Sequence, residues 1–169
     1  LEHHSNIVPW HFLRERNGAV LKWVNIDHNG LIDIDHLNSL ITKKTKMIAM
    51  THMSNVLGTV QPIRDIVNIA HNNDVPVLID GTQGAVHDTI NVKDIGVDFY
   101  VFTGHKLYGP SGIGVLYAKK ERQKDMMPFQ GGGEMIAEVT IDNVTYAEAP
   151  QKFEAGTPPI AQAVGLGHA

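Results

Sequence analysis

Residues 100–110 read YVFTGHKLYGP. An apolar run of aromatic and β-branched residues stops at Thr103, two basic side chains follow at His105 and Lys106, and Gly109 with Pro110 then turns the chain. The next apolar run, GIGVLYAKK at 112–120, begins too soon for a parallel crossover, so it is expected to lie antiparallel beside the first. Working upstream, strand patterns are expected at 98–104, 75–80, 46–52 and 19–26. Helix-period segments separate them at 62–74 and at 34–42, the latter with Leu37, Leu40 and Ile41 on one face and Asp33 as its cap. This alternation predicts an α/β domain, a mostly parallel sheet covered by helices on both faces, with ligands bound beyond the carboxyl ends of the strands.

Three successive strand ends carry polar groups: His52 and Asn55, then Asp80 and Gln83, then Thr103, His105 and Lys106. Residues 121–159, with GGG at 131–133 and prolines at 128, 150, 158 and 159, read as an extended loop region.

The 169 residues suit one domain, and 43% hydrophobic with 19% charged residues is ordinary for a globular protein. A net charge of -4 gives no reason to expect nucleic acid or an anionic membrane as partner. No apolar run is long enough to span a bilayer, and a cytoplasmic location is the default expectation. The absence of cysteine excludes disulfides, thiolate metal sites and a nucleophilic thiol within this chain. The ten histidines are scattered and EHH lacks the i, i+4 spacing of a helical zinc motif, so no metal is expected. A start at Leu1 and an apolar-periodic segment beginning at the other end suggest a piece of something larger. LEHH also has the look of a tag remnant, although only two histidines precede SNIVPW.

A lysine at an apolar strand end is the arrangement of a carbonyl-binding amine, since burial disfavours the ammonium form. Alone, Lys106 reads more readily as a side chain snorkelling to solvent, and Asp80 equally as a turn former in DGTQ. Together they suit pyridoxal 5'-phosphate (PLP), whose ring nitrogen needs a carboxylate and whose phosphate needs donors such as Thr103, His105 and nearby amides. His3 or His4 is a candidate to cover the ring face. A nucleotide P-loop is rejected because GHKLYGPSGIG lacks the order that places its lysine.

The motifs EHHSNIVPW, HMSNVLGT, DGTQ, FTGHKLYGPSGIGVLY, GGGEMI and FEAGTP, in this order, resemble the cysteine desulfurases of the class V aminotransferase family, in the Suf-type branch that includes selenocysteine lyases. The resemblance implies the large domain of a PLP-dependent transferase of fold type I, represented by its central part, with residues 1–169 lacking an N-terminal segment and a C-terminal small domain. It implies that Lys106 binds PLP covalently and that Asp80 partners the pyridine nitrogen. Gln83 and Asn55 would serve the phenolic oxygen, Asn55 alternatively the substrate carboxylate. Thr103 and His105 would bind the phosphate, Thr157 would reach the neighbouring subunit's phosphate across a homodimer, and His3 would stack on the ring and shuttle protons.

The implied activity is conversion of L-cysteine to L-alanine with sulfur held as an enzyme persulfide for iron–sulfur cluster assembly, a sulfur-acceptor protein being a possible partner. Selenocysteine lyase, with L-selenocysteine as substrate, is one alternative, and a non-catalytic cofactor-binding or dimerisation fragment is another. Thr82 stands where the family usually has a small alanine. The family's catalytic cysteine, its substrate-binding arginine and its glycine-threonine phosphate turn have no counterpart here. His4, His52 and His87 receive no role.

Overall fold

A computed structural model describes residues 1–169, which divide into two compact units: Leu1–Phe102 with Val115–Tyr117, and Thr103–Gly114 with Ala118–Ala169. The sheet has the strand order β1 (Ile48–Thr51), β2 (Val77–Asp80), β3 (Phe99–Thr103) and β4 (Gly114–Ala118). Parallel pairing sets Thr51 opposite Asp80 and Asp80 opposite Val101. β3 and β4 are neighbours, as the short connection between them requires.

The helices of the first unit are α1 (Val8–Asn17), α2 (Ile34–Leu40), α3 (Ile63–His71), α4 (Gly84–His87) and α5 (Val92–Ile95). In α3 the buried residues are Ile63, Ile66, Val67 and Ala70, the i, i+3, i+4, i+7 spacing that gives one apolar stripe. That stripe belongs to the same core as Val77 and Ile79 of β2, both fully buried. Each such side chain contributes on the order of 1.5–3 kcal/mol by leaving water. Asp33 caps α2 as expected, its carboxylate accepting the His36 N–H at 2.9 Å. The buried Asp98, just before β3, accepts the Val77 N–H at 2.9 Å and lies 2.8 Å from His71 Nε2, so its cost of burial is offset by partners.

Two expectations are corrected, and one helix is added. Residues 19–26 form no strand: Val20 and Trp23 are exposed, and a single bridge joins Ile26 to Ile32. Apolar β-branched residues there have no ladder partner, and the chain instead turns at Asp27, whose Oδ1 accepts the N–H groups of Asn29 and Leu31. Residues 8–17 form α1, which periodicity did not reveal. Its signals are the punctuation, Pro9 in the first turn and Gly18 left-handed at the end with φ 69°.

In the second unit, the expected loop region contains α6 (Lys120–Asp125) and an antiparallel hairpin of β5 (Ile136–Val139) and β6 (Val144–Tyr146). The Thr140 and Asn143 backbones close its turn at 2.8 Å, and Thr140 Oγ1 accepts the Asn143 N–H at 3.0 Å. The glycines and prolines that read as loop bracket this hairpin rather than interrupt it. The final apolar segment is α7 (Ile160–His168). No helix is long and apolar enough to cross a membrane.

Candidate functional site

In the first unit, Asp80 ends β2 as a buried carboxylate. Its Oδ1 accepts the Thr82 N–H at 3.0 Å, so it does form the turn that DGTQ suggests. Its Oδ2 has no hydrogen-bond partner in the chain and is the oxygen available to a ligand. Gln83 caps the start of α4 and is half-buried, with its amide unbonded. Asn55 opens an exposed turn after the buried Ser54, whose Oγ accepts the N–H groups of Val56 and Leu57. His3 is exposed and caps a short 3-10 turn at His4–Asn6, its Nδ1 accepting the Ser5 N–H at 3.2 Å.

The N-terminal segment belongs to the fold. Glu2 Oε1 accepts the Thr51 N–H at 2.8 Å, Oε2 accepts from Asn6 Nδ2 at 2.6 Å, and Asn6 Oδ1 accepts from Trp10 Nε1 at 3.1 Å. Glu2 thus fastens the His3 segment to the end of β1. Sequence reading missed this contact, because no local pattern links residues so far apart in the chain.

Burial is the main cause that raises the Glu2 carboxyl above its ordinary value, with the charge of Asp80 adding to it, while hydrogen bonds from Thr51 and Asn6 act in the opposite sense. The folded state therefore holds this proton at pH values where the unfolded chain has lost it. The resulting stability is fully present below the unfolded value, about pH 4.3, and is lost as pH rises through the higher folded value. Urea unfolding of wild type and Glu2→Gln, stepped from about pH 4 to 7, should show the wild type losing stability relative to the variant across that window. Parallel profiles would contradict the burial of this carboxyl.

In the second unit, Thr103 ends β3 and Gly104–Lys106 form a 3-10 turn. Thr103 Oγ1 lies 2.9 Å from His105 Nδ1, so the hydroxyl and the exposed ring stand together. Lys106 is half-buried, and its Nζ makes no hydrogen bond or ion pair within the chain. The loop closes because Leu107 and Gly109 both donate their N–H to the Gly104 carbonyl, at 2.9 and 3.0 Å. The left-handed residue is Tyr108, at φ 59°, rather than Gly109. Glycine at 109 favours a close approach: a Cβ there would lie 2.8 Å from Leu166 Cδ1 of α7, which would have to shift, and one at Gly165 would lie 3.2 Å from Pro110. Thr157 is exposed beside Gly156, whose N–H donates to the Gly133 carbonyl at 2.9 Å, tying AGTP to the GGG run.

The available chemistry in the first unit is an acceptor oxygen on Asp80, an amide on Gln83 and a ring on His3. In the second it is a primary amine on Lys106 and a hydroxyl–imidazole pair.

The family model described as aminotransferase class-V matches residues 1–169. A probable cysteine desulfurase of Xylella fastidiosa strain Temecula1 is 51% identical over 166 residues, covering 98% of this chain and 40% of the relative. A cysteine desulfurase of Enterobacter sp. strain 638 is 48% identical over 170 residues, covering 100% of this chain and 42% of the relative. Among solved structures, the Escherichia coli cysteine desulfurase CsdA, in an S-sulfonic acid form, superposes with a TM-score of 0.95 at 44% identity, covering 98% of this chain and 41% of that one. The apo cysteine desulfurase of Thermococcus onnurineus NA1 gives 0.92 at 38% identity, covering 98% of this chain and 41% of that one. The chain spans about 40% of the length of the curated relatives it matches.

Proposed function

Because the chain belongs to the class V aminotransferase family, we propose that it is the central part of the large domain of a PLP-dependent cysteine desulfurase. In that reading the whole protein converts L-cysteine to L-alanine and passes the sulfur, as a persulfide, toward iron–sulfur cluster assembly through an acceptor protein in the cytoplasm. The observation that carries the reading is similarity along the whole chain, 48% and 51% identity to proteins named as cysteine desulfurases. Selenocysteine lyase is the second reading of the same scaffold.

The donor set supports PLP as cofactor. An uncommitted oxygen on a buried carboxylate suits a protonated pyridine nitrogen, a free primary amine suits an aldehyde, and a paired hydroxyl and imidazole suit a phosphate. Bound PLP would supply an electron sink for the substrate's α-carbon. Asp80 Oδ2 would hold the proton at the ring nitrogen, and Gln83 would donate to the phenolic oxygen. Asn55 would contact that oxygen or the substrate carboxylate. Thr103 and His105 would bind the phosphate, His3 would cover the ring face, and Lys106 Nζ would hold the cofactor and move the α-carbon proton. Thr157 would reach the phosphate site of a second subunit in a homodimer.

This chain has no cysteine, so it has no thiolate of its own to carry a persulfide. The full-length protein, incubated with cysteine, PLP and reductant, is expected to form alanine and sulfide and to sediment as a dimer. The 169-residue chain under the same conditions should form neither product. Alanine formation by the short chain at the parent's rate would refute the dependence on a thiolate elsewhere, and an active monomer would remove the role of Thr157.

A further inference from the structure

His52, without a role on sequence grounds, has a specific partner in the structure. It follows β1, is buried, and its Nδ1 lies 3.0 Å from the hydroxyl of Tyr100 in β3, with the two rings edge to face at 6.1 Å. Burial first, then the negative charges of Asp80 and Asp88, push the Tyr100 phenol upward, so it keeps its proton. Burial lowers His52 against the opposing pull of Asp88, which keeps the imidazole neutral at neutral pH. The phenol has no other acceptor in the chain, and a buried hydroxyl left without one is costly, so it donates to Nδ1 and the imidazole proton sits on Nε2.

Two glycines fit around this pair. A Cβ at Gly81 would overlap the Tyr100 ring, and one at Gly84 would overlap the His52 ring. The backbone from Asp80 to Gly84 therefore lies directly on the two rings. It is tied at three further points: His52 N–H to the Asp80 carbonyl at 2.9 Å, Gly81 N–H to the Val101 carbonyl at 2.8 Å, and Ala85 N–H to the Gly81 carbonyl at 2.8 Å. Where the rings sit decides where this turn sits.

We propose that His52 and Tyr100 are a positioning pair whose hydrogen bond sets the Asp80–Gly84 turn, and with it the Asp80 carboxylate and the Gln83 amide, for the cofactor. The inference rests on the cofactor roles of Asp80 and Gln83 proposed above. The pair has an electrostatic side as well. The charged groups facing it are Asp80 and Asp88, and Glu2 faces Asp80 from the N-terminal segment. A neutral His52 leaves the Asp80 charge undiminished, whereas a protonated one would place a cation near it and weaken its hold on a ring-nitrogen proton. Tyr100→Phe keeps the ring against Gly81 but removes the donor to Nδ1. Burial, the first cause of the lowered His52 value, stays in place in that variant, so the imidazole remains neutral and what is lost is the tie between the two rings.

The test uses the full-length, PLP-loaded protein as wild type, Tyr100→Phe, His52→Asn, His52→Leu and Tyr100→Phe/His52→Asn. Asparagine Oδ1 stands in for Nδ1 as acceptor, and leucine offers no acceptor. The readouts are the cofactor's visible absorption and the PLP dissociation constant. Tyr100→Phe, which leaves Nδ1 without its donor, is expected to bind PLP several-fold more weakly than wild type, and adding His52→Asn should weaken binding little further. His52→Asn should bind PLP within about twofold of wild type and His52→Leu about tenfold more weakly, a comparison that stands even if Tyr100→Phe folds poorly. Equal affinity in His52→Asn and His52→Leu, or wild-type affinity in a folded Tyr100→Phe, overturns the inference alone. A wild-type protein that takes up no PLP overturns the reading of the site and the inference with it, and is distinguished by appearing before any variant is made.

Discussion

Full-length protein carrying Lys106→Ala is expected to be colourless after dialysis against PLP-free buffer and to yield no pyridoxyl-labelled peptide after borohydride reduction, while the wild type is yellow and labelled at Lys106. The reasoning starts from the loop. Lys106 is half-buried at the end of a 3-10 turn, held by two amides donating to one carbonyl, and its amine has no partner in the chain. An amine placed in this way is free to attack a carbonyl, whereas one committed to a carboxylate would first have to break that pair. Loss of the amine also removes the group proposed to move the α-carbon proton, an effect that alone costs on the order of 10²–10⁴-fold in rate. Reduction that places the label on another lysine would refute the assignment.

Asp80→Asn should lower turnover of cysteine by about 10²–10³-fold, the scale of removing one preorganised electrostatic partner, with far less effect on PLP retention. Asparagine Oδ1 can still accept the Thr82 N–H, so the turn is conserved. What disappears is the negative charge that would favour a protonated ring nitrogen. Stopped-flow spectra of the variant with cysteine, alongside equilibrium PLP binding, separate the two effects. Normal turnover in the variant would exclude the role given to Asp80.

The parallel core was legible because its pattern is local: apolar strands at β1, β2 and β3, and a four-residue stripe on α3, show in any window of the chain. Element ends were legible where a side chain makes the boundary, as Asp33 does. The segment 19–26 misled because β-branched composition reports a preference for a pleated surface and not the presence of a partner strand. The β5–β6 hairpin was hidden by its surroundings, since the glycines and prolines flanking it outweighed two short alternating runs. For the candidate site, residue types at strand ends were readable one by one. The contacts that hold them were not: Glu2 with Thr51, and His52 with Tyr100, join residues with no sequence relation. Gly81 and Gly84 carried the only trace of the latter pair, and a glycine is silent about which ring it makes room for.

The contact of Gly109 with Leu166, and of Pro110 with Gly165, bears on how the Lys106 loop fluctuates. A surface loop closed by a few hydrogen bonds ordinarily opens alone, at little free-energy cost. Here Gly109 packs on Leu166 and Pro110 on Gly165, so full opening of the loop gives up its contacts with α7 as well as its own hydrogen bonds. The amine's steadiness is thus partly borrowed from a helix far along the chain. A change within α7 that leaves every proposed cofactor contact intact would be felt first as added motion at Lys106.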